Sequence, residues 1–200
     1  TEVDNPATRP ATNLFGPANA NSGPFGNTGD NVEKMRAPHE RFAADIPVNE
    51  RSTREELIRT ANAYFTGLQR NDGKGYYPFT HDCIRFENGI DVLANAMDPT
   101  TQTRGRMTCK RQFEVALKGV VSGVRDRRFV AVDRAKGIVF AFAFFDHENI
   151  NWTWQLAGLF RIEKGQIARI AAIFHQAPHG FPSGWSTYEQ SISDAIQDVR

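Results

Sequence analysis

The sequence predicts an α+β domain: a curved, mainly antiparallel sheet wrapped around helices that precede it. Three observations carry that reading. Apolar residues recur at helical spacing in two segments of the first half, from Ser52 to Asn71 and from Thr108 to Val121. The second half holds long apolar or alternating runs joined by tight turns, which favours consecutive antiparallel strands. Hydrophobic residues make up 40% of 200 residues, enough for the core of one domain.

Residues 1–50 are rich in Pro, Gly, Asn and Ala and read as an irregular N-terminal arm. Leu14, Phe15, Phe25, Met35 and Phe42 are buriable, so the arm is expected to pack over the body or a partner subunit. The domain proper is placed at 51–180, with a C-terminal helix in 181–200. Ser52 and Glu55 suit a capping box. Leu57, Ile58, Ala61, Tyr64, Phe65 and Leu68 then form one helical face, stopped by Asn71-Asp72-Gly73. Tyr76–Phe79 suits a short helical turn. Cys83–Glu87 alternates as a strand and ends at Asn88-Gly89. Residues 95–105 read as loop, and 108–121 as a second helix. Strands follow at 128–132, 138–145, 152–162 and 167–174, with Asp146-His147 opening a turn. Both faces of 138–145 are apolar, so both are expected to be covered. Ser186 and Glu189 suit a second capping box, before a stripe of Tyr188, Ile192, Ala195, Ile196 and Val199. A sheet of this size curled around helices encloses a cone, whose interior is a natural ligand pocket.

Composition excludes several classes. A formal charge of +1 lacks the basic field of a nucleic-acid binder. No apolar run reaches the roughly 20 residues that span a bilayer. Cys83 and Cys109 are the only cysteines, too few for a four-thiolate zinc site. One disulfide is open to them, and a reduced cytosolic pair is the simpler reading. Residues 1–20 show no basic stretch followed by an apolar one, so a cytoplasmic location is expected, with a removed signal peptide left open. Asn151-Trp152-Thr153 matches a glycosylation sequon inside a predicted strand and weighs little.

The stretches Tyr64–Leu68 through Asp72, and Phe79–Asp82 through Gly89, resemble the first helix and first strand of the nuclear transport factor 2-like (SnoaL-like) superfamily. Arg125–Phe129 through Phe140–His147, and His175–Pro178 with Gly184-Trp185, resemble a branch of it found in bacteria and fungi. Within that branch there is a weaker similarity to bacterial lignin-dimer formaldehyde lyases. The resemblance spans about residues 52–176. It implies the cone fold, a small-molecule pocket and a homodimer or higher homo-oligomer.

Five residues are candidates for catalysis. Tyr64 precedes Asp72 by the spacing that, in the superfamily's ketosteroid isomerases, separates an oxyanion-binding tyrosine from an aspartate. A phenol there can steady an oxyanion or give up a proton, and a core tyrosine fits equally well. Glu87 and Asn88 end the first strand, where the superfamily often keeps a general base; a plain turn is the competing reading. His175 suits proton transfer near neutral pH, although strand alternation turns it away from the face of Ile170, Ala172 and Phe174. Arg104 can pair with a phenolate or carboxylate, or simply be solvated. Tyr76, Tyr77, Trp152, Trp154 and Phe174 are candidates for sandwiching an aromatic substrate, against ordinary core packing. The position matching the isomerases' second, protonated aspartate is Gly158, a departure that speaks against ketosteroid isomerisation.

No metal-ligand spacing, P-loop, dinucleotide fingerprint or nucleophile elbow is present, so neither a metal nor a cofactor is expected. The leading expectation is a cofactor-free lyase on a lignin-derived diaryl propanediol, releasing formaldehyde and a stilbene through a quinone methide. The alternatives are a dehydratase, isomerase or cyclase of a polyketide-like ring, or a non-catalytic binding protein. The expected partner is a small aromatic substrate, with no nucleic acid and no membrane.

Overall fold

Seven residues of one helical face organise the domain. In the computed structural model, which describes residues 28–192, helix α3 (Arg54–Arg70) buries Leu57, Ile58, Ala61, Tyr64, Phe65, Gly67 and Leu68. Short helices α1 (Thr28–Met35) and α2 (Glu40–Ala43) precede it. The capping box falls one residue later than predicted: Thr53 Oγ1 accepts from the Glu56 amide, and Glu56 accepts from the Thr53 amide. Asn71 closes the helix in a left-handed conformation (φ 31°). Its side chain donates to Val121 O (2.8 Å) and accepts from the Gly119 amide (2.7 Å), tying the helix end to the connection that leads into β5.

The sheet has six strands: β1 (Phe79–Glu87), β2 (Ile90–Asp91), β5 (Gly123–Asp133), β6 (Ile138–His147), β7 (Trp152–Glu163) and β8 (Gln166–Pro178). Their order is β2-β1-β8-β7-β6-β5, antiparallel throughout except that β1 runs parallel to β8. The concave face supplies Phe129, Phe145 and Phe160, each within 6.0 Å of the Phe65 ring, centroid to centroid. Burying side chains of this size is the main stabilising term, about 1.5–3 kcal/mol each. The convex face is less covered than predicted: Phe140 and Phe142 are half-buried and Ile173 is exposed.

Several expectations are corrected. Residues 95–105 are not loop alone but carry a hairpin, β3 (Ala96–Asp98) paired with β4 (Thr103–Gly105). The second helix is only α4 (Cys109–Val115), since Gly119 takes a positive φ of 74° and the chain turns. No helical turn forms at Tyr76–Phe79, where the chain enters β1. Asp146 and His147 end β6 rather than open a turn. Both are buried: Arg125 Nε donates to Asp146 Oδ2 (2.7 Å) and Thr153 Oγ1 to its other oxygen (2.6 Å), while His147 Nδ1 is hydrogen-bonded to Val120 O. Cys83 and Cys109 are joined as a disulfide, not a reduced pair, clamping the first residue of α4 to β1. The last helix, α5 (Tyr188–Ser191), is capped by Thr187 and Gln190, one residue after the predicted box.

Part of the predicted arm is structured. Phe42 and Ile46 are buried, and Lys136 Nζ donates to Ala43 O (2.8 Å), so this segment lies along the β5–β6 turn. Met35, at the end of α1, is exposed rather than buried. The expectations for Leu14, Phe15 and Phe25, and those for Ala195, Ile196 and Val199, lie outside the described residues. No helix among the described residues is long and apolar enough to cross a membrane.

Candidate active site

Strand alternation puts Cys83, Arg85 and Glu87 on the concave side of β1. Cys83 is spent on the disulfide. Arg85 and Glu87 enter a cavity of about 620 Å³ between α3, α4 and the sheet. Its walls include Tyr64 from α3, Gln112 from α4 and Ala116 at that helix's C-cap, and Phe145, Trp154 and Phe174 from the sheet. Asn95, Met97 and Arg104, from the segment around the β3–β4 hairpin, also line it.

The polar groups form a compact set. Arg85 is 3% exposed, and its Nε lies 3.2 Å from Glu87 Oε1. The guanidinium sits over the Phe113 ring, 5.6 Å from its centroid. Tyr64 is 1% exposed and packs against Phe113 and Phe160. Burial pushes its phenol well above the ordinary value of 10.0. The positive charge of Arg85 pulls the other way, and the Glu87 carboxylate adds to the rise. Tyr64 is therefore a neutral phenol across the physiological range, a donor and not a base. Behind the aromatic wall, His147 stacks on Trp154 at 4.0 Å between ring centroids. Burial holds its imidazole below 6.5, against the opposing effects of its bond to Val120 O and the Asp146 carboxylate.

Of the residues expected from sequence, Tyr64, Glu87, Arg104, Trp154 and Phe174 meet at this cavity. The other five lie elsewhere. Asn88 is fully buried and clasps the end of β1 to β8: its amide group accepts from Phe174 N (2.7 Å) and donates to Phe174 O (3.3 Å). His175 follows Phe174 on β8 and so points to the convex face, and no bulge re-aims it. Tyr76 is 76% exposed. Tyr77 is buried against Phe113 and Gly67, where a Cβ added to that glycine would come within 3.0 Å of the Tyr77 ring. Trp152 opens β7 opposite His147 and Pro178, beyond the cavity wall. Gly158 is packed under Leu156 and Phe160.

Among the cavity residues not expected from sequence are two buried polar ones, Arg85 and Gln112. Arg85 was legible in the alternation Cys83-Arg85-Glu87, which places a cation on the inward row. Nothing in the sequence marked Gln112. Among the described residues no group of three His, Cys, Asp or Glu is placed to hold a metal ion.

Residues 50–174 match the family described as "Domain of unknown function (DUF8021)". The chain belongs to DUF8021. The match covers β1, α4 and most of the sheet, and with them every cavity residue named above. No functionally curated protein matches the chain. Among solved structures, the DUF8021 chain is similar to an NTF-2-like protein of unknown function from Burkholderia xenovorans LB400. That likeness has 16% identity and a TM-score of 0.41, over 68% of this chain and 98% of the other. It is also similar to an LEH-like epoxide hydrolase of M. tuberculosis (16% identity, TM-score 0.41, 60% and 83% covered). A third neighbour, from Shewanella putrefaciens CN-32, is described as SnoaL-like (15% identity, TM-score 0.38, 62% and 92% covered).

Proposed function

We propose that this DUF8021 domain is a cofactor-independent lyase, working by acid–base chemistry on a small aromatic diol. One observation supports the reading above others. Tyr64, Arg85 and Glu87 converge, largely buried, in a cavity whose sheet side is walled by Phe145, Trp154 and Phe174. A cavity of about 620 Å³ suits a two-ring ligand, since small-molecule sites run from about 300 to 1,000 Å³.

The roles follow from the chemistry of each group. In a phenolic diaryl propanediol, the ring hydroxyl gives its proton to water, and Arg104 pairs with the phenolate that remains. Tyr64, a neutral phenol, protonates the departing benzylic hydroxyl, which leaves as water and yields a quinone methide. Glu87 then takes the proton of the hydroxymethyl group. The carbon–carbon bond to that group breaks, its electron pair restores the aromatic ring, and formaldehyde leaves. The stilbene phenolate takes back a proton from water, and the proton on Glu87 returns through water to Tyr64, so the products are one stilbene, one water and one formaldehyde, which account for every atom of the substrate. Arg85 orients Glu87 and shares in stabilising charge at Tyr64.

The test is purified protein mixed with such a diol, without added cofactor. Growth of a stilbene absorbance with equimolar formaldehyde is expected. Conjugation without formaldehyde would move the reading to a dehydratase. Ligand-induced thermal stabilisation with no chemistry would move it to a binding protein.

A further inference from the structure

Gln112 is 7% exposed and lines the cavity, yet its Oε1 has no hydrogen-bond partner. Its orientation is held: Nε2 donates to Val92 O at 3.3 Å. Flipping the amide would set two carbonyl-type oxygens against each other. A buried acceptor left open costs folding free energy that a ligand donor would return. Arg85 Nε is likewise buried and forms no aligned hydrogen bond, its neighbour Glu87 Oε1 lying off-line at 3.2 Å. The buried end of the cavity thus holds two acceptors, Gln112 Oε1 and the Glu87 carboxylate, beside the Arg85 guanidinium; of the other charged groups in the wall, Asp91 is paired with Arg106 (2.8 Å) and Arg104 is exposed at the rim.

We infer that Gln112 is a specificity-determining residue, which accepts a hydrogen bond from a neutral ligand hydroxyl while Glu87 accepts one from a second. The inference rests on the cavity being the ligand site of the proposed function. Other ligand ends fit poorly. An ether oxygen has no proton for either acceptor. A carboxylate would face Gln112 Oε1 and Glu87 together. An ammonium group would face Arg85. A neutral diol satisfies both acceptors and offers its own oxygens to Arg85.

Binding tests this apart from catalysis. 1,2-Diphenylpropane-1,3-diol lacks the ring hydroxyl that the lyase step requires, so its affinity is readable whether or not the protein is a lyase. Its two mono-O-methyl ethers and the acid that replaces the hydroxymethyl group complete the series, each titrated calorimetrically. The diol is expected to bind at least one mono-ether's worth tighter, by about tenfold or more, and tighter than the acid. Gln112→Met, of similar length and apolar, is expected to lower diol affinity to that of the weaker ether and to leave that ether unchanged. Equal affinity for the diol and both ethers would overturn the inference. So would no binding of the diol, tighter binding of the acid, or discrimination that survives in Gln112→Met. The ether series on the unaltered protein decides even if Gln112→Met does not fold.

Discussion

A phenol buried beside a guanidinium and a carboxylate can do little by accident of packing alone. Tyr64 has its titration driven above 10.0 by burial, so it enters any reaction as a donor. Tyr64→Phe keeps the ring and its packing on Phe113 and Phe160 but removes the proton. It is expected to lower kcat by about 10²–10³ while the thermal melt barely moves, and steady-state kinetics beside a melt would check both. His147 makes a pH prediction. Its imidazole is held below 6.5 by burial, so the unfolded chain takes up the proton first. The stability this group contributes is present above 6.5 and is lost as the pH falls below it. Urea melts at neutral pH and at about pH 5 should therefore show acid destabilisation that is smaller in His147→Gln. At this scale the sequence was informative where periodicity alone decides direction. Tyr64 on a helical face and Glu87 at a strand end reach the cavity. His175, one residue past Phe174, faces away as alternation requires. Asn88 lies outside the cavity because a turn asparagine with φ 49° satisfies its amide on the neighbouring strand.

The elements show where local pattern is overtaken by tertiary contact. Both capping boxes were recognisable but slipped by one residue, because Ser52 with Glu55, and Ser186 with Glu189, have the same spacing as the pairs that cap. Helix α4 stops early although apolar residues continue past it, since Leu117 and Val120 pack from a turn. The disulfide could not be read from spacing, as two cysteines 26 residues apart meet only once α4 docks on β1. That bond fastens the helix carrying Gln112 to the strand carrying Arg85 and Glu87. In the chain-entropy view, closing a loop of this length is worth about 3–4 kcal/mol. Reductant is expected to lower the melting temperature and to weaken diol binding, and Cys83→Ala with Cys109→Ala should reproduce both without reductant. Stability unchanged by reductant would show that the bond does not form in solution. Such bonds persist in oxidising compartments, which argues against the cytoplasm expected from sequence.

At the scale of the whole molecule, the α+β class followed from order alone: helices, then long strands joined by tight turns. What order could not show is that β1 returns parallel to β8, which brings Glu87 beside Ala172 and opens the cavity between that edge and α4. The site is thus assembled from α3, β1, α4 and β8, elements far apart in sequence, and no single motif announces it. This distribution makes the claim about its position testable against the one other titratable group the sequence offered. The deciding measurement is kcat/KM on a phenolic diaryl propanediol, without cofactor, for Glu87→Gln and His175→Ala side by side. The concave cavity predicts a loss of about 10²–10⁴ for Glu87→Gln and an unchanged value for His175→Ala. The reverse pattern, or equal losses in both, would contradict a site built on Tyr64, Arg85 and Glu87.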